Sequence, residues 1–239
     1  MNVASIIPPN ERERLAAVRR YDVLDTPPDG AFDRVTRLAS SILDMPIAIV
    51  SIVDTDRIWF KSAHGLEGVP QIDRDPGLCA SAILQDTPWV VENAEFDPRT
   101  LANPLVAGEF GLRFYAGVPL TTREGFNLGT LCVLDQQPRE LPAHGEQVLR
   151  DLAAIVVDEL ELRLAVRAAK DRIEATAQNA AELNDDVVQA LTVAKLQLEL
   201  GEQEAGIEAV GAALVASRRI LDKLSEDVGT LRRTAEVRI

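Results

Sequence analysis

The chain has 239 residues, 46 % of them hydrophobic, enough for one medium domain with an extension or for two small ones, each with a real core. A formal net charge of -13 argues against nucleic acid, whose phosphates call for clustered Lys and Arg, and against anionic membrane surfaces. No apolar run is long enough for membrane insertion as a spanning helix, and Met1-Asn2-Val3-Ala4 opens no basic-then-apolar leader. Two distant cysteines in apolar surroundings, Cys79 and Cys132, fit a reduced, cytoplasmic protein.

In chain order, a short helix is expected over residues 10–21, with Asn10 as its N-cap. The turn Asp25-Thr26-Pro27-Pro28-Asp29-Gly30 leads to a second amphipathic helix carrying Phe32, Val35, Leu38 and Ile42 at helical spacing. The period then changes: Pro46 to Val53 is a β-branched strand, Asp54-Thr55-Asp56 a hairpin turn, and Arg57 to Lys61 the return strand. Further strands are expected at Pro88 to Glu92, Arg113 to Thr122 and Leu128 to Leu134. A helix is expected at Gly77 to Leu84 and loop-rich chain from Asn93 to Gly111. Strands with peripheral helices and no regular strand–helix alternation imply an α+β domain with an antiparallel sheet.

From about Ala143 the pattern turns helical. Leu152, Ile155, Leu162, Val166, Ala169, Ile173, Ala180, Leu183, Val187 and Ala190 form a heptad-like stripe, interrupted at Glu159 and Thr176. Gly201 to Gly206 breaks it, and a last helix carries Ile207, Val210, Leu214, Ser217, Leu221, Leu224, Val228 and Leu231. Two amphipathic helices joined by a turn leave an unfilled apolar stripe, which a homodimer would bury as a four-helix bundle.

Over roughly residues 10–160 the chain resembles the GAF domain family. The resemblance rests on Tyr21 to Pro28, Ala31 to Leu38, Val50 to Asp54 with Arg57 to Ser62, Leu78 to Ile83, Arg113 to Leu120 and Leu128 to Asp135. It implies an antiparallel sheet flanked by helices and a small-molecule pocket, for which Trp59, Lys61, Cys79, Ser81, Arg113 and Tyr115 are the candidate lining residues. The alternative for the aromatics is sheet core, and for Arg113 a partner such as Glu109 or Asp97. His64 beside Gly65 is a poor haem ligand, the cysteine spacing holds no iron–sulfur cluster, and neither a bilin nor a cyclic-nucleotide motif occurs. Cys79, near a helix start, could sense redox state or be a small buried hydrophobe, and Cys132 reads as core.

Glu182 to Leu191 resembles the phospho-acceptor motif of two-component histidine kinases of the nitrate-sensor class, with Asn184 in the histidine's place. A carboxamide cannot carry phosphate as imidazole does, and no glycine-rich phosphate loop occurs, so autokinase activity is not expected. Asp185 and Gln189, spaced i, i+4, remain. In the resembled kinases this pair dephosphorylates a response regulator, the glutamine orienting a water for in-line attack on an aspartyl phosphate. The bland alternative is a solvated helix face.

The expected organisation is a GAF domain over 1–145, a connecting signalling helix over 146–181 and a degenerate dimerisation hairpin over 182–239. The expected function is regulatory: a GAF sensor whose hairpin docks a response-regulator receiver domain, with phosphatase activity as the enzymatic version. It would need no cofactor of its own, Mg2+ being supplied by the receiver, and no metal site. Two alternatives stay open. One is a ligand-sensing or scaffold module paired with a complete kinase or a transcription regulator. The other, were a histidine native at position 184, is a phosphotransfer protein.

Overall fold

A computed structural model describes residues 7–66 and 68–236, without the side chains of 179, 182, 183 and 223–236. The expectations for Met1 to Ala4 and for the side chains of Leu183, Leu224, Val228 and Leu231 lie outside the described residues. The chain divides into two units, residues 1–165 and 166–239.

The first unit is built on six strands: β1 (Ile47–Val53), β2 (Arg57–His64), β3 (Gln71–Asp73), β4 (Trp89–Val91), β5 (Phe114–Thr121) and β6 (Asn127–Asp135). They pair antiparallel throughout, in the order β3-β2-β1-β6-β5-β4. β1 and β6 are buried along their whole length because both faces of the sheet are covered, which is why they read as unbroken apolar runs rather than as an alternation.

Helices α1 (Glu11–Tyr21), α2 (Gly30–Leu43) and the first turns of α5 (Gly145–Glu199) cover one face. There Val18, Phe32, Val35, Leu149 and Val156 pack on Val50, Ile52, Val118 and Leu131. The short helices α3 (Leu78–Ala82) and α4 (Pro104–Ala107) cover the other, closing Leu78, Ala80, Ile83, Val106 and Leu112 over Ile49, Phe60 and Cys132. The two short elements β3 and α4 were not expected from sequence. The expected helix at 77–84 shortens to five residues. On α2 the buried residues are Phe32, Val35, Thr36, Ala39 and Leu43, whereas Leu38 and Ile42 are 49 % and 47 % exposed. The buried stripe is thus rotated by one residue from the predicted one, with Ala39 and Leu43 buried in place of Leu38 and Ile42.

One irregularity bears on function. Val50 pairs with Ser62 and Ser51 with Phe60, so Lys61 is the extra residue of a β-bulge on β2. The bulge sends Lys61 and Ser62 toward the same side, that of α2: Ser62 Oγ meets Thr36 Oγ1 at 2.9 Å, and the Lys61 ammonium sits 5.4 Å from the Phe32 ring centroid.

In the second unit α5 ends in a Schellman motif. Gly201 takes the left-handed conformation at φ +81, Glu202 N–H donates to Gln197 O and Gly201 N–H to Leu198 O. α6 (Gln203–Glu236) then begins, with Gly206 so near Leu198 that a Cβ would meet its side chain at 2.7 Å. The expected break at Gly201 to Gly206 narrows to the turn around Gly201, and Gly206 lies inside the first turn of α6.

Candidate functional site

Three places carry the candidate residues. The first is an apolar cavity of about 150 Å³ on the α3 side of the sheet. Cys79 and Tyr115 line it, together with Cys132 and hydrocarbon from Ile49, Leu112 and Leu134. Tyr115 is fully buried, its ring 5.4 Å from that of Trp89 and its hydroxyl 3.5 Å from Cys79 Sγ. It lies across Gly117, where a Cβ would collide with the tyrosine hydroxyl. Burial pushes the Tyr115 hydroxyl well above its usual range, so it stays a donor.

The second is a shallow cleft at the β2 edge, lined by Pro28, Asp33, Lys61 and Ser62 among others. Lys61 Nζ donates to Thr26 Oγ1 at 2.7 Å and to Pro27 O at 2.8 Å, and Ser62 Oγ donates to Asp33 Oδ1 at 2.7 Å. Lys61 is 4 % exposed, and burial lowers its pKa, opposed by Asp29 and Asp33. The loop it holds ends at Asp29, which caps α2 by accepting from Ala31 N–H at 2.9 Å and pairs with Arg163 of α5 at 2.6 Å. Arg163 also stacks over Phe32, 4.8 Å from its centroid. A connected set of polar contacts therefore runs from the cleft to the helix that leaves the domain. Neither Asp29–Arg163 nor Asp33–Ser62 was legible in the sequence. The sequence pointed there only through the turn Asp25 to Gly30.

Of the other candidates, Trp59 belongs to the core beneath α1 and α2, with the Lys61 ammonium 5.7 Å from its ring centroid. Ser81 lies on α3, half-buried. Arg113 pairs with Glu95 at 3.5 Å and donates to the carbonyls of Val106 and Leu112, so its carboxylate partner is neither Glu109 nor Asp97.

The third place is on α5 in the second unit. Asn184, Asp185, Asp186 and Gln189 are exposed, Val187 and Ala190 half-buried. Asp185 and Gln189 stand one helical turn apart. Exposed apolar side chains follow on both helices, Leu191, Leu196, Ile207 and Leu214 among them.

Similarity to known proteins bears mainly on the first unit. Over 148 residues the chain is 41 % identical to a cyclic di-GMP phosphodiesterase of Pseudomonas aeruginosa, which is 62 % of this chain and 24 % of that protein. The chain thus spans about a quarter of that relative's length. Solved structures similar to it include the GAF domain of an Acinetobacter phosphoenolpyruvate-protein phosphotransferase, at 18 % identity and a TM-score of 0.49, covering 67 % of this chain and 98 % of that one. A free methionine-R-sulfoxide reductase from Neisseria meningitidis, solved with its substrate, matches at 18 % identity and a TM-score of 0.47, over 66 % of this chain and 90 % of that one. The GAF domain family model matches residues 27–160, which take in all six strands and the start of α5. More than half of the chain lies within that match, and the chain belongs to the GAF domain family.

Proposed function

We propose that this protein is a regulatory sensor whose GAF domain signals along α5 to a kinase-like hairpin that docks the receiver domain of a response regulator. The observation that carries the reading is the exposure of Asn184, Asp185 and Gln189 together on α5, open to a partner. A glutamine carboxamide there can orient water toward an aspartyl phosphate, with Mg2+ held by the receiver. Asn184 has no proton-transfer or nucleophilic chemistry, so the reading includes phosphatase activity and excludes phosphate storage on the helix. The exposed apolar residues of α5 and α6 support a homodimer in which two hairpins make a four-helix bundle.

The test mixes the protein with phosphorylated receiver and follows phosphate release. Acceleration is expected, with Gln189→Ala lowering it by about 100-fold while dimerisation persists. Neither acceleration nor binding would overturn the reading.

A second reading, a ligand-sensing or scaffold GAF module serving another signalling protein, draws support from the phosphodiesterase relative. There the similar stretch makes up 24 % of a larger cyclic di-GMP phosphodiesterase. Under that reading Gln189→Ala leaves receiver chemistry untouched, and a ligand of the GAF domain raises its melting temperature.

A further inference from the structure

Two buried thiols meet under α3. Cys79 comes from that helix and Cys132 from β6, and their sulfurs lie 3.8 Å apart. Both line the apolar cavity, whose rim includes Val69 at 36 % exposure. A cavity of this size with hydrocarbon walls stays dry and accepts a benzene-sized guest. Either cysteine alone would pass for a small hydrophobe. The pair is different, because the two sulfurs touch each other and buried hydroxyls stand around both of them. The Tyr115 hydroxyl donates to Cys79 Sγ, and the Ser51 and Thr130 hydroxyls stand beside it. Cys132 Sγ donates to the Ile49 carbonyl at 3.8 Å and also has the Thr130 and Tyr115 hydroxyls near it. The contact with Cys132, reinforced by these hydroxyls, draws Cys79 below the usual thiol range against the effect of burial. The same contact and burial hold Cys132 above it, so the two thiols titrate as a pair, Cys79 the more readily ionised. An attacking thiolate beside a protonated second thiol is the arrangement that converts oxidation into a disulfide.

We propose that the cavity admits small apolar organic hydroperoxides and that Cys79 and Cys132 reduce them, closing to an intramolecular disulfide. In the first step the Cys79 thiolate attacks the terminal peroxide oxygen. An S–O bond forms, the O–O bond breaks, and the alkoxide leaves as the alcohol by taking up the proton that Cys79 released on ionising. Cys79 is then a sulfenic acid. In the second step Cys132 sulfur attacks Cys79 sulfur, the S–O bond breaks, and hydroxide departs with the thiol proton as water. The balance is two thiols and one hydroperoxide giving one disulfide, one alcohol and one water. Closure brings the sulfurs from 3.8 Å to a bond of about 2.05 Å, drawing α3 onto β6 and removing the Cys132 thiol from Ile49 O.

The full chain is exposed to cumene hydroperoxide or to hydrogen peroxide, then denatured, and its free thiols are titrated and mapped by mass. Expected are loss of both thiols, a Cys79–Cys132 linked peptide, a monomeric mass lower by two hydrogens, and a rate with cumene hydroperoxide about tenfold or more above that with hydrogen peroxide. Cys132→Ser should stop at a sulfenic acid on Cys79 that dimedone traps, and Cys79→Ser should leave Cys132 reduced. Ile49→Phe, which fills the cavity and leaves both thiols in place, should erase the preference for the apolar peroxide. Two thiols still titrating in the folded parent chain, a disulfide linking separate molecules, or equal rates with the two peroxides would each overturn the proposal.

Discussion

At the scale of single residues, the tightest constraint is Gly117 against Tyr115. Because a Cβ there collides with the buried hydroxyl, Gly117→Ala is expected to cost about 1–3 kcal/mol, read as a lower urea midpoint at unchanged slope. Arg14 is a second fixed point. It is 1 % exposed, donates to Val53 O at 2.7 Å and grips Glu11 bidentately at 2.7 and 2.9 Å. Arg74 joins from the far side at 2.6 Å. Burial works against the Glu11 carboxylate, yet these two guanidinium groups hold its pKa below the ordinary 4.5. A depressed acid stabilises the fold above its unfolded value and stops doing so as pH falls through the folded one. The parent should therefore lose stability progressively below pH 4.5, and Arg14→Met, less stable at neutral pH, should lose less of it over that range. The sequence pattern identified Phe32 and Val35 as core but not Arg14. A charged residue on an amphipathic helix looks solvated until the carbonyl ends that satisfy it are seen.

At the scale of elements, the long strands and helices were legible because each is long enough for its period to repeat. β3 and α4, three and four residues long, are not. Asn103 caps α4 through Leu105 N–H at 2.8 Å, a signal of one residue inside what otherwise reads as loop. The turn between α5 and α6 was legible from Gly201, and the backbone gives the reason. Gly201→Ala places a side chain at positive φ and should cost the hairpin about 1 kcal/mol or more, measured as lost helicity and a lower melting temperature. Among candidate site residues, Cys79 and Tyr115 belong together at one cavity and Lys61 to a separate cleft, a grouping that the strand register decides and the sequence spacing does not.

At the scale of the whole molecule, no helix among the described residues is long and apolar enough to cross a membrane, and α5 and α6 carry exposed apolar side chains that the proposed dimer would cover. Leu214 is 63 % exposed on α6. Leu214→Asp should turn the proposed dimer into a monomer in sedimentation, with the GAF domain's own unfolding transition unchanged. The domain family was readable from scattered motifs because buried strands tolerate little besides β-branched and aliphatic residues. The contacts that tie the cleft to α5 were not readable. Asp29 and Arg163 are far apart in the chain, and their pairing depends on how α5 crosses α2.

The bulge at Lys61 has an evolutionary corollary. In a pleated strand, removing one residue normally reverses the parity of everything beyond it, exchanging inside for outside. Here Lys61 is already the surplus residue, so its deletion restores the parity: Phe60 keeps facing the cavity, Ser62 keeps facing Thr36 and Asp33, and Ala63 stays with the core beside Leu66. A single-codon deletion would then remove the cation that tethers the Thr26–Pro27 loop while sparing the sheet. Amide exchange should show β1 and β2 as protected as before, with only the chain around Thr26 opening. Indels in β2 are thus a route by which relatives of this domain can gain or lose that tether in one step.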